Sequence, residues 1–209
     1  MKPLLQIAAL AVAAFAIACP ARADVDETLR REPYAVSGST EAEVRADINA
    51  KRRGNYDATA RWHIRWRYVY RTLDTGCAFA RVTTSLELTM VEPSLRSPDP
   101  VLQKSFDDYI ARLRIHEDGH ADLARATARR VNATLLPMKA ATCFELGRLA
   151  NEAAHAIVAE GNSEQAAYDA RTDHGATQGA RWPRNTVSTP PDRSQYQTPD
   201  MHPPAPSQD

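Results

Sequence analysis

DPVLQKSFDDYIARLRIHEDGHADLARATARRVNATL, residues 99–135, organises the rest of the chain around it. Asp99 before Pro100 is a helix start: a short carboxylate to accept the first unpaired N–H groups, then a ring whose φ already suits a helix. Apolar residues return in steps of three and four through Leu102, Phe106, Tyr109 and Leu113, then Leu123, Thr127 and Val131, and Pro137 marks the end. That period predicts one long amphipathic helix. The same steps carry His116 and His120 into the apolar stripe. Two imidazoles one turn apart with a glutamate beside them are costly to bury without a partner, and a metal ion is such a partner. His116-Glu117-Asp118-Gly119-His120 is an H-E-x-x-H pattern. In zinc metalloproteases the two histidines of this pattern hold the metal and the glutamate takes a proton from the activated water.

On either side of this helix the chain reads as strands and shorter helices. Residues 24–32 are charged and read as a flexible lead-in, followed by a short strand at Tyr34-Ala35-Val36 that ends at Ser37-Gly38. Thr40 and Glu43 form a capping box, and Val44 with Ile48 gives the apolar pair of a helix over 41–52, ended by Gly54-Asn55. Trp62, Ile64, Trp66, Tyr68 and Tyr70 then alternate with Arg61, His63, Arg65, Arg67 and Arg71. Period two over this length predicts a half-buried strand with an aromatic inner face and solvated arginines outside. Asp74-Thr75-Gly76 is a turn into a second strand over 77–90, and 93–100 is a linker. Thr142 and Glu145 make another capping box, opening a helix that Gly161 would end near Glu160, with a short helix over 163–171 beyond. The expected fold is α+β: a small antiparallel sheet packed on the H-E-x-x-H helix and on a second helix, in the manner of zincins. No internal repeat is present.

The first 23 residues read as a signal peptide, with Lys2, an apolar run from Leu4 to Ala18, and Ala21-Arg22-Ala23 as the cleavage site. Lipid attachment at Cys19 is the lesser alternative. Either way the protein is expected in the periplasm or outside the cell, with a domain over 24–180 and a Pro-rich, disordered tail over 181–209. No later stretch is long and apolar enough to predict stable membrane insertion. Cleavage leaves Cys77 and Cys143, an even pair in an exported chain, which predicts a disulfide. The whole chain has 26 basic and 26 acidic residues, so net charge gives no argument for a nucleic-acid partner.

A catalytic zinc, one per chain, needs a third protein ligand. Residue chemistry leaves His174 and Glu152 open, with His155 a weaker option. Asp118 and Asp122 are candidates to orient a ligand imidazole, and Tyr168 to stabilise an oxyanion, each against a plain structural reading. Trp62-His63-Ile64-Arg65-Trp66, Cys77, the H-E-x-x-H segment, Cys143 and Tyr168 through Gly179 together resemble a bacterial family of predicted secreted zinc-dependent proteases, itself a domain of unknown function. The resemblance runs from about Tyr34 to Ala180, and its final segment, with Thr172-Asp173-His174-Gly175 and Gln178-Gly179-Ala180, implies His174 as the third ligand.

The expectation is therefore an exported zinc metallopeptidase acting on a peptide or protein substrate. His116, His120 and His174 would hold Zn2+, and Glu117 would be the general base. A zinc amidase acting on cell-wall peptides shares this site chemistry. A non-catalytic, metal-stabilised binding module is the alternative from another class.

Overall fold

The computed structural model describes residues 25–183, so the leader, Cys19 and the tail beyond Pro183 lie outside the described residues. The architecture is α+β. In chain order it comprises β1 (Val25–Val36), α1 (Glu41–Lys51), β2 (Thr59–Leu73), β3 (Gly76–Leu95), α2 (Pro100–Leu135), β4 (Lys139–Ala140), α3 (Cys143–Thr172) and a 3-10 turn at Ala176–Gln178.

The sheet runs β1-β3-β2, with the two-residue β4 added to β3. β2 and β3 form the expected hairpin, antiparallel from Thr59↔Val91 to Leu73↔Gly76, with one register shift at Val69/Tyr70. Two expectations are corrected here. Residues 25–32 are no lead-in: they belong to a 12-residue strand that pairs with β3 in parallel, from Val25↔Thr84 to Val36↔Leu95, so the sheet is mixed and not purely antiparallel. The strand evades a hydrophobic pattern because its side chains pair rather than bury, as when the Glu27 carboxylate accepts from both Nε and Nη2 of Arg125 of α2. β3 also continues through Pro93 to Leu95. Past Val91 only β1 borders it, and proline is tolerated where one side of a strand has no partner.

Local signals start each helix. Asp99 accepts from the Val101 and Leu102 N–H groups, and Thr40 and Thr142 accept from Glu43 and Glu145. The third correction concerns Gly161. It does not end a helix; α3 runs unbroken for 30 residues. A Cβ at Gly161 would stand 2.6 Å from the Thr127 hydroxyl oxygen and 2.8 Å from its methyl. The glycine is there so that α3 can approach α2 closely, which outweighs its low helix propensity of about 1 kcal/mol.

Two hydrophobic clusters form the interior. The larger joins the inner sheet face (Val82, Leu86, Leu88, Met90) to the alanine-lined second half of α2 (Ala121, Ala124, Ala128) and to α3. The smaller joins Val44 and Ile48 of α1 to the first half of α2 (Leu102, Phe106, Tyr109, Leu113) and to Trp182. Trp182 is 4% exposed and packs edge-on against Phe106, so the domain extends past residue 180. Next to this cluster Asp57 is held by Arg45 through bonds of 2.6 Å to each oxygen, by Arg52 at 3.1 Å and by the Tyr109 hydroxyl. The Cys77–Cys143 disulfide forms as expected and ties the start of α3 to β3. Closing a loop of 66 residues contributes about 4 kcal/mol in the chain-entropy model. No helix among the described residues is long and apolar enough to cross a membrane.

Candidate metal centre

The H-E-x-x-H segment sits where the two clusters meet. Leu113 is the last residue of α2 in the smaller cluster and Ala121 the first in the larger, and His116 and Glu117, 4% and 5% exposed, lie between them. Opposite them comes the last part of α3. Gln165, Tyr168, Asp169 and Thr172 are spaced i, i+3, i+4, i+7 and so share one helix face.

Three atoms converge. His116 Nε2 and His120 Nε2 are 3.2 Å apart, and Asp169 Oδ1 lies 3.2 Å from the first and 2.9 Å from the second. The other ring nitrogens are fixed from behind. His116 Nδ1 is 3.0 Å from Gln178 Oε1, while the Gln178 amide nitrogen donates to the Tyr168 hydroxyl at 3.0 Å. His120 Nδ1 meets Gln165 Oε1, while the Gln165 amide nitrogen donates to the His120 carbonyl at 3.0 Å. Because the His120 carbonyl can only accept, the Gln165 amide nitrogen must face it and the Gln165 oxygen must face the imidazole, so His120 Nδ1 carries a proton and donates; His116 Nδ1, turned towards Gln178 and Thr172, is likewise held away from the cleft. With the proton of each neutral ring on Nδ1, both Nε2 atoms would present lone pairs to each other and to a carboxylate oxygen. Such a triangle repels itself unless a cation or a proton sits in it. Ligand atoms about 2.0–2.1 Å from a tetrahedral zinc are about 3.3 Å from one another, close to the edges found here. His116, His120 and Asp169 thus make a group fit to hold a metal ion.

The electrostatics carry the same demand for positive charge. Burial works against the charged form of His120, but Asp169 and Gln165 overcome it and raise its pKa. Burial likewise works against the charged form of Asp169, and the hydrogen bonds from His116 and His120 hold it well below the ordinary carboxylate range. Glu117 moves the other way. Burial pushes it up to about 7, against the lowering influence of both histidines and of the Ala60 backbone hydrogen bond. A divalent cation alongside would draw it back down.

A cleft of about 190 Å3 opens onto these groups, with Tyr56, Ala58, Thr59, Ala60 and Trp62 on one wall and Glu117, Asp169 and His174 on the other. A larger hollow of about 450 Å3, on the far side of the sheet, contains none of them. We take the smaller cleft as the site because the convergent ligand atoms and the buried carboxyl are there.

A family described as a bacterial protein of unknown function (DUF922) matches residues 31–175. The chain belongs to DUF922. No curated protein matches, and no solved structure does. Membership in this family therefore brings no known activity with it.

The DUF922 chain distributes its sequence-predicted site residues unevenly. His116, Glu117 and His120 come together as the motif requires. His174 reaches the cleft, with Nδ1 3.4 Å from Asp169 Oδ1 and its ring 4.7 Å from that of Tyr56, but it is a neighbour of the three-atom group, not one of its members. It stands on a turn of three successive left-handed residues, Asp173 (φ 47°), His174 (φ 50°) and Gly175 (φ 83°), which follows the end of α3. Glu152 is remote from the cleft: its carboxylate is exposed and bonds Arg148 at 2.6 Å. His155 is exposed and meets Trp66 edge-on. Asp118 and Asp122 pair with Arg31 and Arg125, not with an imidazole. Tyr168 lies behind the ligands, its ring stacked on His116 at 5.1 Å and its hydroxyl pressed against Gly119, where a Cβ would stand only 2.1 Å away. It walls the histidines and is not among the cleft-lining residues.

Sequence reasoning missed Asp169, Gln165 and Gln178. Asp169 and Gln178 lie within the segment whose resemblance pointed to His174. The predicted short helix over 163–171 already set 165, 168 and 169 on one face, but only the packing of α3 on α2 shows that this face meets the histidines.

Proposed function

We propose that this protein is an exported zinc-dependent metallopeptidase, with His116, His120 and Asp169 holding the ion and Glu117 as general base. One observation carries the reading. Three convergent ligand atoms and a buried carboxyl with a raised pKa open into the same cleft. A structural metal site has no use for such a carboxyl, whereas hydrolysis does.

Zinc bound in the triangle supplies Lewis acidity, polarising a carbonyl and acidifying a water. The chain supplies the rest. The Gln165 amide holds His120 in the tautomer that leaves Nε2 free, and Gln178, in contact with His116 Nδ1, orients that ring with its Nε2 towards the cleft. The Ala60 N–H orients the Glu117 carboxylate, which takes a proton from the attacking water and returns it to the leaving amine. β2 is an edge strand, and its cleft residues Thr59, Ala60 and Trp62 stand over the metal group. An extended peptide pairing with that edge would run its backbone past Glu117. The disulfide fits an oxidising compartment, in keeping with export.

The test is Glu117→Gln in zinc-loaded protein, assayed on a quenched-fluorescence peptide library. Both forms should carry about one zinc per chain, and the variant should lose roughly 10²–10⁴-fold in turnover. A variant as active as the wild type, or a zinc-loaded wild type that cleaves no peptide, would overturn the reading.

A further inference from the structure

Hydrolysis of a peptide bond builds negative charge on the carbonyl oxygen, and a donor already fixed where that charge develops stabilises the transition state. Few groups in the cleft can be that donor. Ionised Glu117 and Asp169 only accept. The Gln165 amide nitrogen is committed to the His120 carbonyl, and the His116 and His120 rings belong to the metal group. Tyr56, Thr59, Trp62 and His174 are the other cleft-lining side chains that carry a donor. The first three come from β2 or the loop before it, the side along which an extended peptide would lie. His174 comes from the end of α3, beside the metal group.

The backbone fixes His174 against that group at two points. The Asp173 and His174 N–H groups both bond the carbonyl of Asp169, the latter at 3.0 Å. The next residue, Gly175, presses on His116: a Cβ there would stand 3.0 Å from its Cγ. Asp173 and His174 are the two non-glycine residues with positive φ among the described residues. Side chains rarely adopt that region, and such strain persists where the surroundings impose it, often at functional sites. Here Arg181 clamps Asp173 at 2.6 Å, and the Tyr56 ring packs on the His174 ring at 4.7 Å. The turn costs conformational freedom, and what it delivers is one imidazole in the cleft.

His174 Nδ1 is 3.4 Å from Asp169 Oδ1. That oxygen would lie about 2.1 Å from a bound zinc, so the ring nitrogen stands within about 5.5 Å of the ion's seat. A bond of about 2 Å from ion to oxygen followed by a hydrogen bond of about 3 Å spans a similar distance. We propose that His174 is a catalytic residue and not a metal ligand: its ring N–H donates to the oxygen of the scissile carbonyl as negative charge develops there. Charged or neutral, an imidazole carries at least one N–H. Tyr56 is a positioning residue that holds the ring. The inference rests on the metallopeptidase reading.

The test uses full-length zinc-loaded protein, a peptide that the wild type cleaves, and a phosphinic peptide of the same sequence, whose tetrahedral phosphorus mimics the transition state. His174→Ala should keep about one zinc per chain, lose roughly 10²–10³-fold in kcat, and leave KM within about threefold. Affinity for the phosphinic peptide should fall by about the same factor as kcat/KM. His174→Asn should behave alike, since asparagine suits the left-handed turn but has a shorter reach. His174→Gln, whose amide can donate, should recover part of the loss, and Tyr56→Phe, which keeps the ring, should lose little. Wild-type kcat and phosphinic-peptide affinity in both His174→Ala and His174→Asn would overturn the inference and leave the metallopeptidase reading standing. So would loss of zinc in both, which would make His174 a ligand, or a loss in Tyr56→Phe equal to that in His174→Ala, which would make the tyrosine hydroxyl the donor. A wild type that neither cleaves peptides nor binds the phosphinic peptide would defeat the metallopeptidase reading itself, and this inference with it.

Discussion

Replacing Gly119 by alanine sets two forces of opposite sign against each other. In an unobstructed helix interior, Gly→Ala stabilises by about 1 kcal/mol, because alanine has less backbone freedom to lose. Here the new methyl would stand 2.1 Å from the Tyr168 hydroxyl oxygen and 2.5 Å from Cζ. Non-bonded atoms settle near 3.5 Å or beyond, so the ring would have to retreat by more than about 1 Å. It has no free direction: it stacks on His116, meets His120 edge-on at 4.9 Å, and its hydroxyl is bonded by Gln178. Overpacking of this kind costs about 1–3 kcal/mol, and with the ring blocked on every side the upper part of that range applies, so Gly119→Ala should destabilise by up to about 2 kcal/mol net. In a Tyr168→Ala background the obstacle is gone and the same substitution should stabilise by about 1 kcal/mol. Urea denaturation of the four metal-free proteins measures this cycle. A competitive zinc titration should also find Gly119→Ala about 10–100-fold weaker, because Tyr168 and Gln178 orient His116. If Gly119→Ala raises stability equally in both backgrounds, Tyr168 does not press on the helix and this account of the motif's glycine is wrong.

Two further outcomes follow from the same geometry. Asp169→Asn should reduce zinc affinity at least tenfold, while His174→Ala and Glu152→Ala leave about one zinc per chain by elemental mass spectrometry; loss of zinc in His174→Ala alone would return His174 to the ligand set. Asp57→Asn removes the charged partner of the largely buried Arg45 and should cost about 3 kcal/mol in urea denaturation. Burial favours the neutral form of Asp57, but Arg45 and its neighbours hold its pKa below the usual range. Its contribution is therefore complete above about pH 4 and lost as pH falls through the lowered folded value, so Asp57→Asn should flatten the acid limb of the stability curve. Stability curves of wild type and variant that stay parallel down to pH 3 would contradict that.

Where one local cause governs an element, the sequence displayed it. The Asp99-Pro100 start, the capping boxes at Thr40 and Thr142, the aromatic alternation of β2 and the cysteine pair each act through neighbours in the chain or through a fixed period. β1 escaped because it is held by pairing to β3 and by charge pairs such as Glu27 with Arg125, neither of which leaves an apolar period. Gly161 misled because its backbone preference points to a helix end, while the tertiary contact with Thr127 decides the matter. That misreading split α3 into two helices and detached the segment bearing Gln165 and Asp169 from the helix whose packing on α2 aims it. His116, Glu117 and His120 were legible because four residues of helix suffice to unite them. Asp169 depends on how two helices cross, which no local pattern encodes.

Gly161 also bears on the precision of the metal group. Cys143 and Asp169 are 26 residues apart on one helix, a lever about 39 Å long. If α3 were anchored only at its disulfide end, a tilt of about 3° would swing the Asp169 carboxylate by about 2 Å, enough to take it out of coordination distance. The close seat of Gly161 on Thr127 places a fulcrum eight residues before Asp169, leaving a free arm of about 12 Å. The same tilt about that point moves the carboxylate by only about 0.6 Å. Reducing the disulfide should therefore loosen the far end of the helix while leaving the aim of Asp169 nearly unchanged.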